Sequence, residues 1–276
     1  MLFFKEQVMW IDTHCHLDTS EFGDRAVQIA ASAALAGVSA IVIPAVHRNT
    51  FAQTEHMAKQ VPGACFALGI HPMYVPVSAE EDLDFLEQRV AELLADPVAG
   101  SRLVAIGEIG LDYFVPELTQ SPLREKQERF YLAQLRIARR FGLPVLLHVR
   151  RSQDQILKQL RRISVAGGIA HAFNGSNQQA GHFLDMGFKL GFGGAMTFTR
   201  ALQIRRLAAE LPAEALVLET DAPDIPPSWL QGDINSPEQL PRIGACLAEL
   251  RGWSVAETAS ICRANSLQVL PRMMQS

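Results

Sequence analysis

The chain has 276 residues, 48% hydrophobic and 20% charged, a composition that supports a substantial core and does not suggest disorder. A formal net charge of -4 excludes binding of nucleic acid through overall positive charge, so any attraction for phosphate has to be local. Cys15, Cys65, Cys246 and Cys262 form no CxxC pair, and no apolar run approaches membrane-spanning length, which predicts a soluble cytoplasmic protein with reduced thiols.

The opening MLFFKEQVMW lacks the apolar core and cleavage site of a signal peptide, and Met9 offers an alternative start to Met1. In chain order, strands are expected at VMWIDTH (8–14), VSAIVIPA (38–45), ACFALGI (64–70), RLVAIGEI (102–109) and PVLLHV (144–149). GGIAHAF (167–173), FKLGFGG (188–194) and ALVLETD (215–221) complete the set. Helical periodicity fills 80–95, 122–141 and 152–162, and two further helices follow the last strand at about 237–251 and 254–270. Eight strands alternating with helices predict an α/β fold of the closed (β/α)8 TIM-barrel type, one domain over 1–276. A doubly wound sheet would bring a glycine-rich phosphate loop after its first strand, where this chain has DTHCHLD.

A parallel barrel gathers its strand ends on one face, so distant residues can converge there. His14 and His16 close the first strand with alternate spacing, which turns both imidazoles one way and Cys15 the other. Glu108, His148, His171 and Asp221 stand at the ends of the fourth, fifth, sixth and eighth runs. Imidazoles and carboxylates are the ligands of a hydrolytic dimetal centre, and a carboxylate can bridge two cations where a histidine cannot. Singly, each has a plainer reading: a hydrogen-bonded histidine pair, a carboxylate paired with arginine, satisfied core histidines, an aspartate capping a turn. RLVAIGEIG contains no lysine, which argues against a carbamylated-lysine bridge. His71, ending the third run, is a candidate to contact substrate, with turn packing as its alternative. His47, His56 and His182 read as solvated. Arg150 and Arg151 follow His148, so at least one should face the barrel mouth, where a guanidinium suits phosphate oxygens or pairs with an acid. Arg48 is a weaker candidate of the same kind.

With these residues in view, the chain resembles the TatD-type metal-dependent deoxyribonuclease family, in particular its YjjV branch. The matching stretches are DTHCHLD (12–18), GIHP (69–72), AIGEIGLDY (105–113), LPVLLHVR (143–150), HAFNGS (171–176), GGAMTF (193–198), ETDAP (219–223) and NSLQVL (265–270). The resemblance implies a barrel hydrolase with two divalent ions per chain, of zinc, magnesium, manganese or nickel. By analogy His14, His16 and Asp221 hold one ion, His148 and His171 the other, and Glu108 bridges. The implied activity is hydrolysis of phosphodiester bonds in DNA, trimming from the 3′ end, with DNA as the partner. The chain departs from the family's usual residues at Asp224, Ile234, Ala172 and Asn174, none of them a proposed ligand.

The expected chemistry is attack of an acidified water on phosphorus, with Asp221 taking the water's proton. Arg150 neutralises developing charge, and His71 orients the phosphate or leaving group. A metal barrel of this kind could equally cleave an amide, ester or lactone carbonyl, and a non-catalytic binding role is the third alternative.

Overall fold

The structure, a computed structural model, describes residues 8–274. Residues 1–7, on which the choice of start and the absence of a leader bear, lie outside the described residues. Eight strands pair in parallel in the order of the chain. They are β1 (Trp10–Asp12), β2 (Val38–Pro44), β3 (Ala64–Leu68), β4 (Leu103–Asp112), β5 (Val145–Arg150), β6 (Gly168–Ala170), β7 (Phe188–Phe192) and β8 (Leu216–Leu218). Between them run α1 (Ala26–Leu35), α2 (Phe51–Gln60), α3 (Glu81–Ala95), α4 (Leu123–Phe141), α5 (Gln153–Arg162), α6 (Asn177–Asp185) and α7 (Leu202–Glu210), with α8 (Leu240–Arg251) and α9 (Val255–Val269) after the last strand. The (β/α)8 expectation holds. No helix among the described residues is long and apolar enough to cross a membrane.

Alternation along the strands divides the apolar residues into two buried sets. Ile41, Ile43, Phe66, Leu68, Val145, Leu147, Leu216 and Leu218 pack with helix residues such as Leu86, Leu135 and Leu247. Their neighbours Val42, Cys65, Ala67, Leu146, Ile169 and Val217 gather in a second cluster with Val269, Leu270 and Met273. Side chains from so many strands can meet only inside the ring, which α9 and the turn after it stopper at one end. The inward parity of Leu146, Ile169 and Val217 carries on to His148, His171 and Asp221.

β1 and β8 close the ring through a seam rather than a long ladder. Thr13 N and its Oγ1 both donate to Leu218 O, at 3.1 and 3.0 Å. Asp221 N donates to His14 O at 2.8 Å, and His16 N to Ala222 O at 2.8 Å. The first, sixth and eighth strands end earlier than the apolar runs suggest, so His14, His16, His171 and Asp221 lie just beyond them, as does His71 beyond β3. The backbone turns there: Ala172 and Asp221 take φ of 45° and 57°, which no strand residue adopts.

β4 contains an irregularity that positions Glu108. Its pairing with β5 passes from Ile106↔Val145 to Ile109↔Leu147, one extra residue on the β4 side. Such a bulge re-aims a side chain, and here Ile106 and Ile109 both pack outward while Glu108 turns into the ring. Glu108 N still finds a partner, Ala45 O at 2.9 Å. Gly110 follows at φ 150°, and a Cβ there would sit 2.0 Å from His148 O. Gly110→Ala is therefore expected to part β4 from β5, lowering stability by more than the ~1–3 kcal/mol usual for overpacking. A urea midpoint equal to that of the parent chain would contradict this account.

Candidate metal centre

All six candidate ligands meet at one end of the barrel, around the carboxylate of Glu108, which is 1% exposed. Its two oxygens face different partners. Oε2 lies 3.2 Å from His14 Nε2 and 3.5 Å from His16 Nε2. Oε1 lies 3.0 Å from His148 Nδ1, 3.0 Å from His171 Nε2 and 3.4 Å from His71 Nε2. Asp221 Oδ1 joins the first group, 3.6 Å from His14 Nε2 and 3.7 Å from His16 Nε2. His14 and His171 stack at 4.0 Å between ring centroids where the two groups meet.

The donor chemistry fits cations better than protons alone. His14 Nε2 and His16 Nε2 stand 3.3 Å apart, and at least one must present a lone pair to the other's neighbourhood. Three sets of side chains, His14/His16/Asp221, His14/Glu108/His171 and His71/Glu108/His148, bring ligand atoms within 4.8 Å of one another. His14 Nδ1, His171 Nδ1 and Glu219 Oε2 are buried without a hydrogen-bond partner. Burial pushes His16 down, yet Glu108 and Asp221 together raise it to about 9. Burial likewise opposes charge on His171, but Glu108 and Asp221 hold it well above its ordinary value. His14 is driven to about 3 by burial and by His171. Burial alone would raise Glu108; the neighbouring imidazoles of His71, His171 and His14 outweigh it and hold the carboxyl well below its usual range. Burial is also the main reason that Asp221 rises to about 6, against the pull of His171 and His16. The acids thus draw positive charge into a closed space, and divalent ions are its natural source.

His71 sits differently. Its Nδ1 accepts the Met73 amide at 3.1 Å, so in the neutral ring Nε2 carries the hydrogen. Burial lowers its pKa to about 4. His71 therefore presents an N–H, with Nε2 3.0 Å from His148 Nδ1. That makes it a donor rather than a ligand.

Several buried carboxylates around the centre escape notice in the sequence. Asp112 Oδ2 is 3.0 Å from His148 Nε2, which directs Nδ1 toward Glu108. Its Oδ1 accepts the amides of Phe114 and Val115 at 2.8 and 2.9 Å. Asp12 accepts from Thr220 N and Oγ1 at 3.0 and 2.6 Å, locking the strand end that carries Asp221. Glu219 accepts the Ala172 amide beside His171. Asn235, fully buried, donates to Thr220 O at 2.8 Å and Asp224 O at 2.9 Å, bracing the loop after Asp221. The signal for the carboxylates is the one that marks Glu108: an acid inside an apolar run is costly unless it has a partner.

Arg150 reaches the mouth and does not pair with Glu108; its Nη1 makes a long ion pair with Asp112 Oδ2 at 3.9 Å. Arg48 does not face the centre. It bonds Asp82 at 3.0 Å and lies over Phe85, lining a separate groove between α2 and α3. His56 is exposed, whereas His47 and His182 are half-buried, His47 stacking on Tyr74 at 5.6 Å. The centre opens into a cavity of about 1540 Å³.

Comparison with known proteins places the chain among metal-dependent hydrolases. The chain is 40% identical over 252 residues to the "Uncharacterized metal-dependent hydrolase YjjV" of Escherichia coli (strain K12), covering 91% of this chain and 93% of that one. It is 31% identical over 258 residues to the "3'-5' ssDNA/RNA exonuclease TatD" of Klebsiella pneumoniae (strain 342), covering 90% and 94%. The crystal structure of YjjV, the TatD homologue from Escherichia coli K12, superposes with a TM-score of 0.87 at 38% identity, over 95% of this chain and 98% of the other. The family model described as "TatD related DNase" matches residues 11–271, and the chain belongs to that family.

Proposed function

We propose that the chain is a one-domain, divalent-metal-dependent hydrolase of phosphodiester bonds, a 3′-5′ exodeoxyribonuclease acting in the cytoplasm. The observation that carries the dimetal reading is the division of Glu108, whose Oε2 faces His14 and His16 while its Oε1 faces His148 and His171. In this reading His14, His16 and Asp221 would hold one cation, His148 and His171 the other, and Glu108 would be shared between them. Zinc, manganese, magnesium or nickel suits such nitrogen and oxygen ligands. Bound there, the cations supply Lewis acidity and acidify the attacking water.

The remaining work falls to the chain itself. Asp221, its Oδ1 beside His14 and His16 at the barrel mouth, is the carboxylate we assign to take the water's proton. His71 offers its Nε2 hydrogen to a phosphate or leaving oxygen. Arg150, its side chain half exposed at the mouth, supplies a fixed positive charge to phosphate oxygens. Asp112 keeps His148 in one tautomer.

DNA as substrate is supported by the name of the Klebsiella relative, by family membership and by the cationic side of the cavity. The acids Asp18, Glu21 and Asp224, which also line the cavity, favour the second reading, a hydrolase of an uncharged amide, ester or lactone. End-labelled single-stranded DNA, assayed beside chromogenic esters and lactones, separates the two. We expect chelator to stop DNA trimming and added divalent ions to restore it; carbonyl turnover with intact DNA would favour the second reading.

Two substitutions examine the centre. Glu108→Gln should remove much of the bound metal and lower activity beyond the ~10–100-fold typical of outer partners. Full metal occupancy with normal turnover in that variant would contradict a bridging role. Asp112→Asn should cost about 10–100-fold in metal affinity, read by competition with a chromogenic chelator. An unchanged affinity would show that Asp112 does not orient His148.

A further inference from the structure

The cavity walls differ in chemistry. The segments after β1 and β8 contribute Asp18, Glu21 and Asp224 to its lining. The end of β5 and the segments after β3, β4 and β5 contribute Met73, Tyr74, Phe114, Arg150 and Arg151. Met73, Tyr74 and Phe114 remain 48%, 41% and 44% exposed, a concentration of apolar surface at the entrance to a polar centre. Such surface is otherwise costly to leave in water.

The two arginines are arranged around Phe114. Continued strand alternation would turn Arg150 and Arg151 to opposite faces, but β5 ends at Arg150. Instead Arg151 takes φ 55°, and both guanidinium carbons approach the same ring, at 3.8 and 4.7 Å from its centroid. A left-handed backbone at a non-glycine residue is unfavourable, and here it brings two cations to one aromatic side chain. Asp112 binds the Phe114 amide with the carboxylate that contacts His148, so this wall is tied to the centre. Aromatic faces beside arginine forks hold a nucleobase by stacking and its phosphate by charge.

We infer that Tyr74, Phe114, Arg150 and Arg151 form a nucleotide shelf, which takes the base and phosphate of the nucleotide adjoining the bond to be cut. The inference rests on the phosphodiesterase reading above and adds where the nucleoside lies. The shelf reads the presence of a base more than its identity, because every base offers a stacking face. The acidic segments after β1 and β8 repel phosphate and direct the strand to this side.

The test compares binding of deoxyadenosine 5′-monophosphate with that of deoxyribose 5-phosphate to the protein as purified, by calorimetry. The nucleotide should bind about 5–30-fold more tightly. Phe114→Ala should remove most of that advantage while leaving deoxyribose 5-phosphate binding within about 2-fold, and Phe114→Trp should retain it. Tyr74→Ala, on a separate segment, should reduce it in part. Equal binding of the two ligands by the parent chain would overturn the shelf, as would a base advantage that survives both alanine variants. Oligonucleotide hydrolysis is measured in parallel. Its complete absence would overturn the phosphodiesterase reading, whereas the calorimetric difference still decides whether a base is held.

Discussion

Everything at the barrel mouth is organised around one buried carboxylate shared between two groups of imidazoles. A carboxylate taken from water into a closed ring has to be compensated there. Glu108 receives that compensation from five ring nitrogens within 3.5 Å, divided between its two oxygens. The β4 bulge aims it, Gly110 lets the neighbouring strand stay close, and Asp112 holds the histidine that meets it from β5. Remove the acid and the imidazoles lose the charge around which they pack.

The supporting carboxylates show how such a site is held rigid. Asp12 reaches across from β1 to Thr220, and Glu219 secures the turn at Ala172. Asn235 binds two carbonyls of the loop after β8, which explains the buried asparagine in the Asn235-Ser236-Pro237 stretch even though Ile234 replaces the family's usual residue before it. These contacts over-determine the positive φ of Ala172 and Asp221. That is the condition under which strained backbone persists beside a working centre.

The fold and the six convergent residues were legible because period-two apolar runs mark strands, and a parallel barrel brings strand ends together whatever their separation in the chain. What could not be read was contact within the mouth. Asp112 meets His148 across 36 positions, and no periodicity encodes that pair. The extent of the strands was also overstated: apolar alternation persists through His14 and Asp221 although the ladder stops short of them. The glycines of GEIG did carry a sign of the bulge, since an isolated glycine in a strand often marks one. Arg48 and Arg150 looked alike in sequence and differ in space, because Asp82 draws Arg48 toward α3.

The seam between β1 and β8 has a consequence for the whole molecule. Thr13 and Leu218, bonded across it, are 205 positions apart, so this joint fastens the beginning of the barrel to its end. His14 and His16 stand on one bank and Asp221 on the other. A cation gripped by those three would be a clasp on a hoop, and loading the centre and keeping the hoop shut become two faces of a single equilibrium.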